Sequence, residues 1–178
     1  MKGIIIFKGK YGATRQYAEW LGKELALPVF TPENYRSEDL IGCDFVIIGS
    51  SVYIGKLQIK DWIKSHMPGL LSKKTYLFVV CGTPPEDRNT LETYLQASVP
   101  FQVRKKSQVY FLPGKLVYQK LSWSDKFMLR MGAMLTKDKK TKKQMLTDYN
   151  GVKKENLDVL VKDIKNYTGR VSKPVMQL

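Results

Sequence analysis

The beginning of the chain, residues 2–27, reads KGIIIFKGKYGATRQYAEWLGKELAL. Residues 2–7 are apolar and rich in isoleucine, a composition typical of a strand buried on both faces. Residues 14–27 predict a helix, because their apolar positions recur at helical spacing: Tyr17, Ala18, Leu21 and Leu25. The glycines between these two stretches predict a tight turn. The chain therefore begins as strand, turn and helix.

The same alternation continues through most of the sequence. Further strands are predicted at residues 28–31, 44–50, 75–81 and 108–112, and further helices at residues 58–71, 87–97 and 152–167, the last one stopped by Gly169. Apolar strands separated by amphipathic helices indicate a parallel sheet covered on both faces. We therefore expect an α/β fold with a doubly wound, five-stranded parallel sheet and helices on both faces, formed by a single domain over residues 1–178.

The positive charge of the chain is concentrated in one region. The formal net charge is +14, and twelve of the 30 basic residues lie between Arg104 and Lys143, together with only two acidic ones. Such a cluster implies an anionic partner, which could be a membrane surface, a nucleic acid or an acidic small molecule. No helix-turn-helix, zinc or RNA-binding signature accompanies it, and this argues against nucleic acid.

The basic segment, residues 113–146, interrupts the strand–helix alternation as a long, Met-rich insertion after the fifth strand. If residues 124–136 form a helix, five apolar residues fall within about a third of its circumference: Phe127, Met128, Met131, Met134 and Leu135. Five lysines follow at once: Lys137, Lys139, Lys140, Lys142 and Lys143. An apolar stripe with a basic flank suits a membrane interface, whereas the alternative is a stripe that packs on the domain's own core.

We expect neither a membrane-spanning helix nor a secretory signal peptide in this sequence. Its first apolar run is only four residues long and is followed by Lys8 and Lys10, which is too short for a signal peptide. Cys43 and Cys81 are far apart and form no metal or redox motif, as expected of reduced core thiols. We therefore predict a cytoplasmic protein that holds no metal, with peripheral contact at the inner face of the cell membrane as an open alternative.

The turn before the first helix is a candidate phosphate site. Ligands of a doubly wound sheet lie beyond the carboxyl ends of its strands, and this turn contains Gly9 and Gly12 and leads into Thr14. Backbone amides, a helix N-terminus and a hydroxyl can together bind a phosphate, although a tight turn without a ligand would have the same composition. The dinucleotide and P-loop glycine patterns are both missing.

The surrounding pattern resembles the flavodoxin family. The residues that match are Ile5-Ile6-Phe7, Gly12, Thr14, Ala18 and Leu21, in the order and spacing of the flavodoxin signature. The resemblance implies FMN as cofactor, held by three loops whose residues here are Gly9, Lys10, Tyr11, Gly12, Ala13 and Thr14, then Ser50, Ser51, Val52, Tyr53 and Gly55, and lastly Cys81, Gly82 and Thr83. It also implies that Tyr53 covers the isoalloxazine. Flavodoxins usually carry Ser or Thr at the position of Gly9, so one hydroxyl contact to the phosphate is missing here.

The basic segment is similar to that of the bacterial menaquinone-dependent protoporphyrinogen oxidases. The similarity rests on three stretches in the same order: residues 114–118, Trp123-Ser124-Asp125-Lys126-Phe127-Met128, and Thr147-Asp148-Tyr149. It implies an FMN-dependent oxidoreductase that passes electrons from an anionic reduced tetrapyrrole to menaquinone. The alternative is a flavodoxin-domain electron-transfer protein without a substrate of its own. Neither hypothesis assigns a catalytic residue.

Overall fold

The computed structural model of the protein describes residues 1–135 and 146–171. Its central sheet contains β1 (Gly3–Lys8), β2 (Val29–Phe30), β3 (Phe45–Tyr53), β4 (Lys56–Leu57), β5 (Lys74–Cys81) and β6 (Ser107–Pro113). Five of these strands are parallel, in the order β2-β1-β3-β5-β6, and β4 is a short antiparallel addition to β3. The five-stranded parallel sheet predicted from the apolar runs is therefore confirmed.

Helices lie between the strands and after the sheet. They are α1 (Ala13–Leu25), α2 (Ser37–Ile41), α3 (Lys60–Ser65), α4 (Met67–Leu71), α5 (Arg88–Gln96), α6 (Phe101–Lys106), α7 (Trp123–Leu135) and α8 (Asp158–Val171), with 3₁₀ turns at Tyr118–Lys120 and Lys154–Leu157. A second, two-stranded sheet pairs β7 (Lys115–Leu116) with β8 (Tyr149–Asn150). This pairing joins the start of the basic segment to the residues just after its end.

Successive residues of each strand enter two separate cores, as the alternation of side chains along a strand requires. Ile4 and Ile6 of β1 belong to the core that contains buried residues of α3 to α6, among them Ile63, Leu70, Leu95 and Val103. Ile5 and Phe7 belong to the other core, which contains Tyr17 and Leu21 of α1 and Leu160 and Ile164 of α8. Helices therefore cover both faces of the sheet, and burial of each large apolar side chain contributes about 1.5–3 kcal/mol.

Two predicted helices differ from the structure, one in its middle and one at its ends. The helix expected over residues 58–71 is broken at His66, because Pro68 has no amide hydrogen with which to continue the hydrogen-bond ladder, and α4 begins anew with Pro68 in its first turn. The helix expected over residues 152–167 begins instead as a 3₁₀ turn and continues as α8. The prediction that Gly169 stops it is wrong, since a glycine inside a helix weakens it without ending it.

In the ranges described, no helix combines the length and the apolar character needed to cross a membrane. The five lysines between positions 137 and 143, on which part of the membrane hypothesis depends, lie outside the described residues. Cys43 and Cys81 are buried free thiols, as predicted.

Candidate functional site

The three predicted FMN loops meet at one edge of the sheet. The first loop (residues 9–14) follows β1, the second loop (residues 50–55) contains the end of β3, and the third loop (residues 81–83) begins at the end of β5. Because β1, β3 and β5 are adjacent and parallel, their carboxyl ends lie side by side. All fourteen predicted residues are therefore located at this edge.

The first loop leads into α1 through a glycine in the left-handed conformation. Gly12 is the N-cap of α1 with a φ of 85°, and no side chain caps the helix. The first turn also contains no acidic residue. The amides at the start of a helix have no partner within the helix and carry the positive end of its dipole. This end of α1 is therefore available to an anion.

A buried hydroxyl without a partner lies in the same loop. Thr14 is 1 % exposed, and its Oγ1 makes no hydrogen bond. A buried hydroxyl left unsatisfied costs about 1–3 kcal/mol, and a ligand oxygen that accepts its hydrogen bond would recover that energy. It is the observation in this structure that fits an FMN phosphate at the first loop.

The hydroxyl of Thr14 also explains why position 9 is a glycine. A Cβ on Gly9 would lie 2.5 Å from Thr14 Oγ1 and 2.7 Å from Thr14 Cβ. A serine or threonine at position 9 would therefore collide with the side chain of Thr14. The missing hydroxyl at this position leaves the space in which the Thr14 side chain packs.

The second loop ends in a two-residue hairpin turn, Ile54-Gly55, with unusual backbone geometry. Tyr53 pairs with Lys56, and both residues between them have positive φ, 48° at Ile54 and 69° at Gly55. Two successive positive φ angles are typical of a type I′ turn, for which asparagine and glycine are favoured and a β-branched residue is strained. Ile54 is 59 % exposed, so packing does not explain its choice. The turn fixes the position of Tyr53 at its base.

The start of the second loop is fixed by two serine hydroxyls. Ser51 Oγ donates to Gln58 Oε1 at 2.7 Å, and Ser50 Oγ accepts from the amide of Ile59 at 3.3 Å. Val52 pairs with Leu57 across the hairpin. These contacts make the second loop a rigid extension of β3.

The third loop is contacted by Gly114, at the start of the basic segment, and by Tyr149, just after its end. The amide of Gly114 donates to the carbonyl of Cys81 at 2.8 Å, and the Tyr149 hydroxyl occupies the place that a Cβ on Gly82 would take. Thr83 Oγ1 is 3.0 Å from the Tyr94 hydroxyl. Burial raises the pKa of the Cys81 thiol, so this sulfur is a packing group at neutral pH.

One residue at this edge was not predicted as part of the site. Asp125 of α7 is 4 % exposed, and its carboxylate accepts hydrogen bonds from Lys10 Nζ at 2.7 Å, from the Tyr53 hydroxyl at 2.6 Å and from the Tyr11 hydroxyl. The hydrogen bond to Asp125 raises the pKa of Lys10. In the sequence, Asp125 was simply one acid within a basic segment. No local signal in the sequence indicated its burial, because a residue away from the apolar stripe of a helix is expected to face solvent.

The apolar stripe of α7 faces outward. Its five residues are all exposed, from 42 % for Met131 to 80 % for Leu135, and so is the neighbouring Trp123 at 83 %, whereas the two buried residues of the helix are Asp125 and Ala133. The alternative in which this stripe packs on the domain's own core is therefore wrong for the described part of the segment. Helix α7 turns a carboxylate inward and its apolar side chains to the surface.

Comparison with known proteins finds a distant relative and structural neighbours of low identity. Protoporphyrinogen IX dehydrogenase [quinone] from Escherichia coli (strain K12) is 26 % identical over 141 residues, which cover 74 % of this chain and 78 % of that protein. The solution structure of two-electron reduced Megasphaera elsdenii flavodoxin matches 63 % of this chain and 83 % of its own, with 16 % identity and a TM-score of 0.46. The Trp repressor binding protein from Bacillus subtilis matches 64 % of this chain and 85 % of its own, with 17 % identity and a TM-score of 0.42.

The family assignment rests on a match that spans most of the chain. The model of the flavodoxin domain aligns with residues 4–143, a range that contains nearly all of β1, the strands β2 to β6 and all three loops. This chain therefore belongs to the flavodoxin domain family.

Proposed function

We propose that this chain binds FMN and uses it as an oxidoreductase. The observation that carries the proposal is the buried, unpartnered hydroxyl of Thr14 beside Gly9, at the uncapped start of α1. Hydroxyl, loop amides and helix dipole together form a site for a phosphate group. When bound, FMN supplies the redox chemistry by accepting and releasing electrons, while the protein determines its position and electrostatic surroundings.

Each loop has a distinct role in this proposal. The first loop binds the phosphate through its amides and Thr14, and the second loop presents Tyr53 to the isoalloxazine, because a flat ring system packs well on an aromatic face. The third loop lies beside the second one, with Val80 paired to Ser51 just before it. Its residues Cys81, Gly82 and Thr83 would line the far side of the ring.

We further propose that the electrons come from a reduced tetrapyrrole and go to a quinone. Support comes from the Escherichia coli relative and from the Trp123–Met128 stretch that suggested its family. The charge of the basic segment suits a substrate with carboxylate groups, since lysine and arginine bind carboxylates by charge and hydrogen bonding. No acid–base pair is required of the protein, because the flavin carries the chemistry.

The same segment is the proposed membrane contact. A quinone acceptor is dissolved in the lipid, so the enzyme must approach the bilayer. The exposed apolar stripe on α7, together with the neighbouring Trp123, is a surface of the kind that inserts into a membrane interface. The lysines that follow it in the sequence would meet anionic headgroups. We therefore propose a cytoplasmic protein that contacts the inner face of the cell membrane peripherally through α7.

A second candidate function is an electron carrier without its own substrate. The family match supports it equally, because it shows a flavodoxin domain without indicating any substrate. In that case the basic segment would be a docking surface for an acidic partner. The two candidates differ in whether the isolated protein turns over a small-molecule substrate.

Absorbance spectroscopy tests the cofactor first. FMN added to the purified protein should give a bound-flavin spectrum and a saturable fluorescence change. The loaded protein is then given protoporphyrinogen and a menaquinone analogue, with porphyrin fluorescence followed against a protein-free control that corrects for air oxidation. Quinone-dependent porphyrin formation supports the enzyme. A reducible flavin without turnover leaves the electron carrier, and failure to bind FMN contradicts both.

Vesicle sedimentation tests the membrane contact. Neutralising the five lysines at 137, 139, 140, 142 and 143 should weaken binding to anionic vesicles by about 1 kcal/mol for each lysine near the surface. Added salt should have a similar effect by screening. Binding to FMN should be unchanged, because the flavin loops lie elsewhere in the chain. If vesicle binding responds neither to the substitutions nor to salt, the membrane contact is refuted.

A further inference from the structure

The carboxylate of Asp125 is the least expected buried group at the loop edge. It is the only acidic residue of α7, and the helix belongs to the most basic part of the chain. A carboxylate taken out of water is strongly destabilising unless its oxygens are well satisfied. Its burial therefore requires specific partners, and the identity of those partners shows what the residue is for.

All side-chain donors to this carboxylate in residues 1–135 and 146–171 come from the predicted FMN loops. Lys10 and Tyr11 belong to the first loop, and Tyr53 belongs to the second loop. The amide of Asp125 itself donates to Ser122 Oγ at 3.3 Å, which caps the start of α7. The contact therefore joins three parts of the chain that are separated by 43 to 115 residues.

The contact also fixes the ring of Tyr53. One carboxylate oxygen holds its hydroxyl, and the ammonium group of Lys10 lies 4.6 Å from the centre of its ring and 3.5 Å from its hydroxyl oxygen. An ammonium group over an aromatic ring is attracted by the ring's electron density. Lys10 is itself held by the other carboxylate oxygen, so the tyrosine ring is constrained at its edge and over one face.

We infer that Asp125 is a positioning residue of the FMN site, which holds Tyr53 in its stacking orientation and offsets the positive charge of Lys10 beside the bound isoalloxazine. This inference rests on the proposed function. A ring that is already oriented loses less conformational freedom when a ligand stacks on it, and this favours binding. The carboxylate also offsets the charge of Lys10, which by itself would favour the gain of negative charge by the ring, and this lowers the reduction potential of the bound cofactor.

If Asp125 competed with FMN, its removal would change the FMN affinity in the opposite direction. If the carboxylate instead occupied the place of the FMN phosphate on Lys10 and Tyr11, it would compete with the cofactor. Removal of its charge would then strengthen FMN binding. The direction of the affinity change therefore separates positioning from competition.

The test compares Asp125→Asn with the parent protein and with Asp61→Asn, a control at an exposed position on α3. For Asp125→Asn we expect about tenfold weaker FMN binding, because the released Tyr53 ring would then have to be ordered when the isoalloxazine stacks on it. We also expect brighter bound flavin at saturation and a more positive reduction potential. The control should match the parent in all three measurements.

A second variant keeps the test meaningful if Asp125→Asn folds poorly. Tyr53→Phe retains the ring and removes only the hydroxyl that meets Asp125. It should reproduce part of the loss of quenching, and the double variant should be no worse than Asp125→Asn alone, because both changes break the same contact. Circular dichroism of each variant reports its fold.

The outcomes are distinct. Tighter FMN binding by Asp125→Asn overturns positioning in favour of competition. Unchanged affinity, quenching and potential, with only faster hydrogen exchange in α7, reduce Asp125 to an anchor of the helix and also overturn the inference, while FMN binding by the parent stands. If the parent does not bind FMN at all, the proposed function fails and the inference fails with it.

Discussion

Replacing Thr14 by valine should raise the stability of the FMN-free protein and weaken its binding of FMN. Valine has nearly the same shape as threonine but no hydroxyl, and both are β-branched, so the helix start should tolerate the change. In the FMN-free protein the hydroxyl is buried without a partner, and removal of that penalty should stabilise the fold by about 1 kcal/mol, or a rise in Tm of about 2–4 °C. In the complex, loss of a hydrogen bond to a charged phosphate should cost about 1.5–3 kcal/mol, or about 10- to 150-fold in Kd.

The two effects are measured by thermal unfolding without FMN and by fluorescence titration with it. Thr75 provides a matched control, because its Oγ1 is also buried and unpartnered but lies at the start of β5, at the opposite end of the strand from the loops. Thr75→Val should stabilise the protein and leave the Kd unchanged. Equal FMN affinity in Thr14→Val and the parent would refute the placement of the phosphate, and destabilisation of the FMN-free variant would show that the hydroxyl has a partner.

Three further predictions concern other positions. Gly9→Ala should weaken FMN binding about tenfold, because the new methyl group must displace the Thr14 side chain, and a titration that shows no loss would contradict this packing. Tyr53→Ala should increase the fluorescence of bound flavin, and a mutant as well quenched as the parent would exclude Tyr53 as the stacking residue. Burial raises the pKa of Tyr76 from 10.0 to about 12, so the free energy of unfolding should fall by about 2–3 kcal/mol as the pH rises from 10 to 12, and Tyr76→Phe should flatten that fall in alkaline denaturation experiments.

The direction of the alkaline effect follows from the two states of Tyr76. Above pH 10 the hydroxyl ionises in the unfolded chain while the folded protein still keeps it neutral, so the unfolded state binds fewer protons and gains stability. The contribution is fully present below pH 10 and is lost by about pH 12. Removal of the hydroxyl removes the difference between the states.

The sheet could be predicted from the sequence because its signal is local. Runs such as residues 45–48 and 76–80 are apolar without interruption, as strands covered on both faces require, and each of them became a central strand. The short helices α2 and α6 were not predicted, because five or six residues carry too little periodicity to stand out. Their positions are determined by the core on which they pack.

The loops could be placed for the same reason, but their interactions could not. Glycine and threonine at fixed spacing after a strand indicate a phosphate turn from a few adjacent residues. The contact of Asp125 with Lys10 spans 115 residues and is set by how the basic segment folds back over the loops. The composition of the segment indicated that Asp125 is exposed, since a lone acidic residue among lysines is normally solvated. Its burial is a property of the tertiary fold, which no local pattern carries.

The outward orientation of the apolar side chains of α7 affects the stability of this helix. Isolated helices of about 12–15 residues are marginal in water, and most helices gain their stability from an apolar face that packs on a core. α7 has 13 residues and buries only Asp125 and Ala133. The helix therefore gains little stability from apolar burial within the domain, and under the proposed membrane contact a lipid surface that covers the outward stripe and Trp123 would supply the missing burial. In that case the helix would be most stable at the membrane, where the proposed quinone acceptor is dissolved.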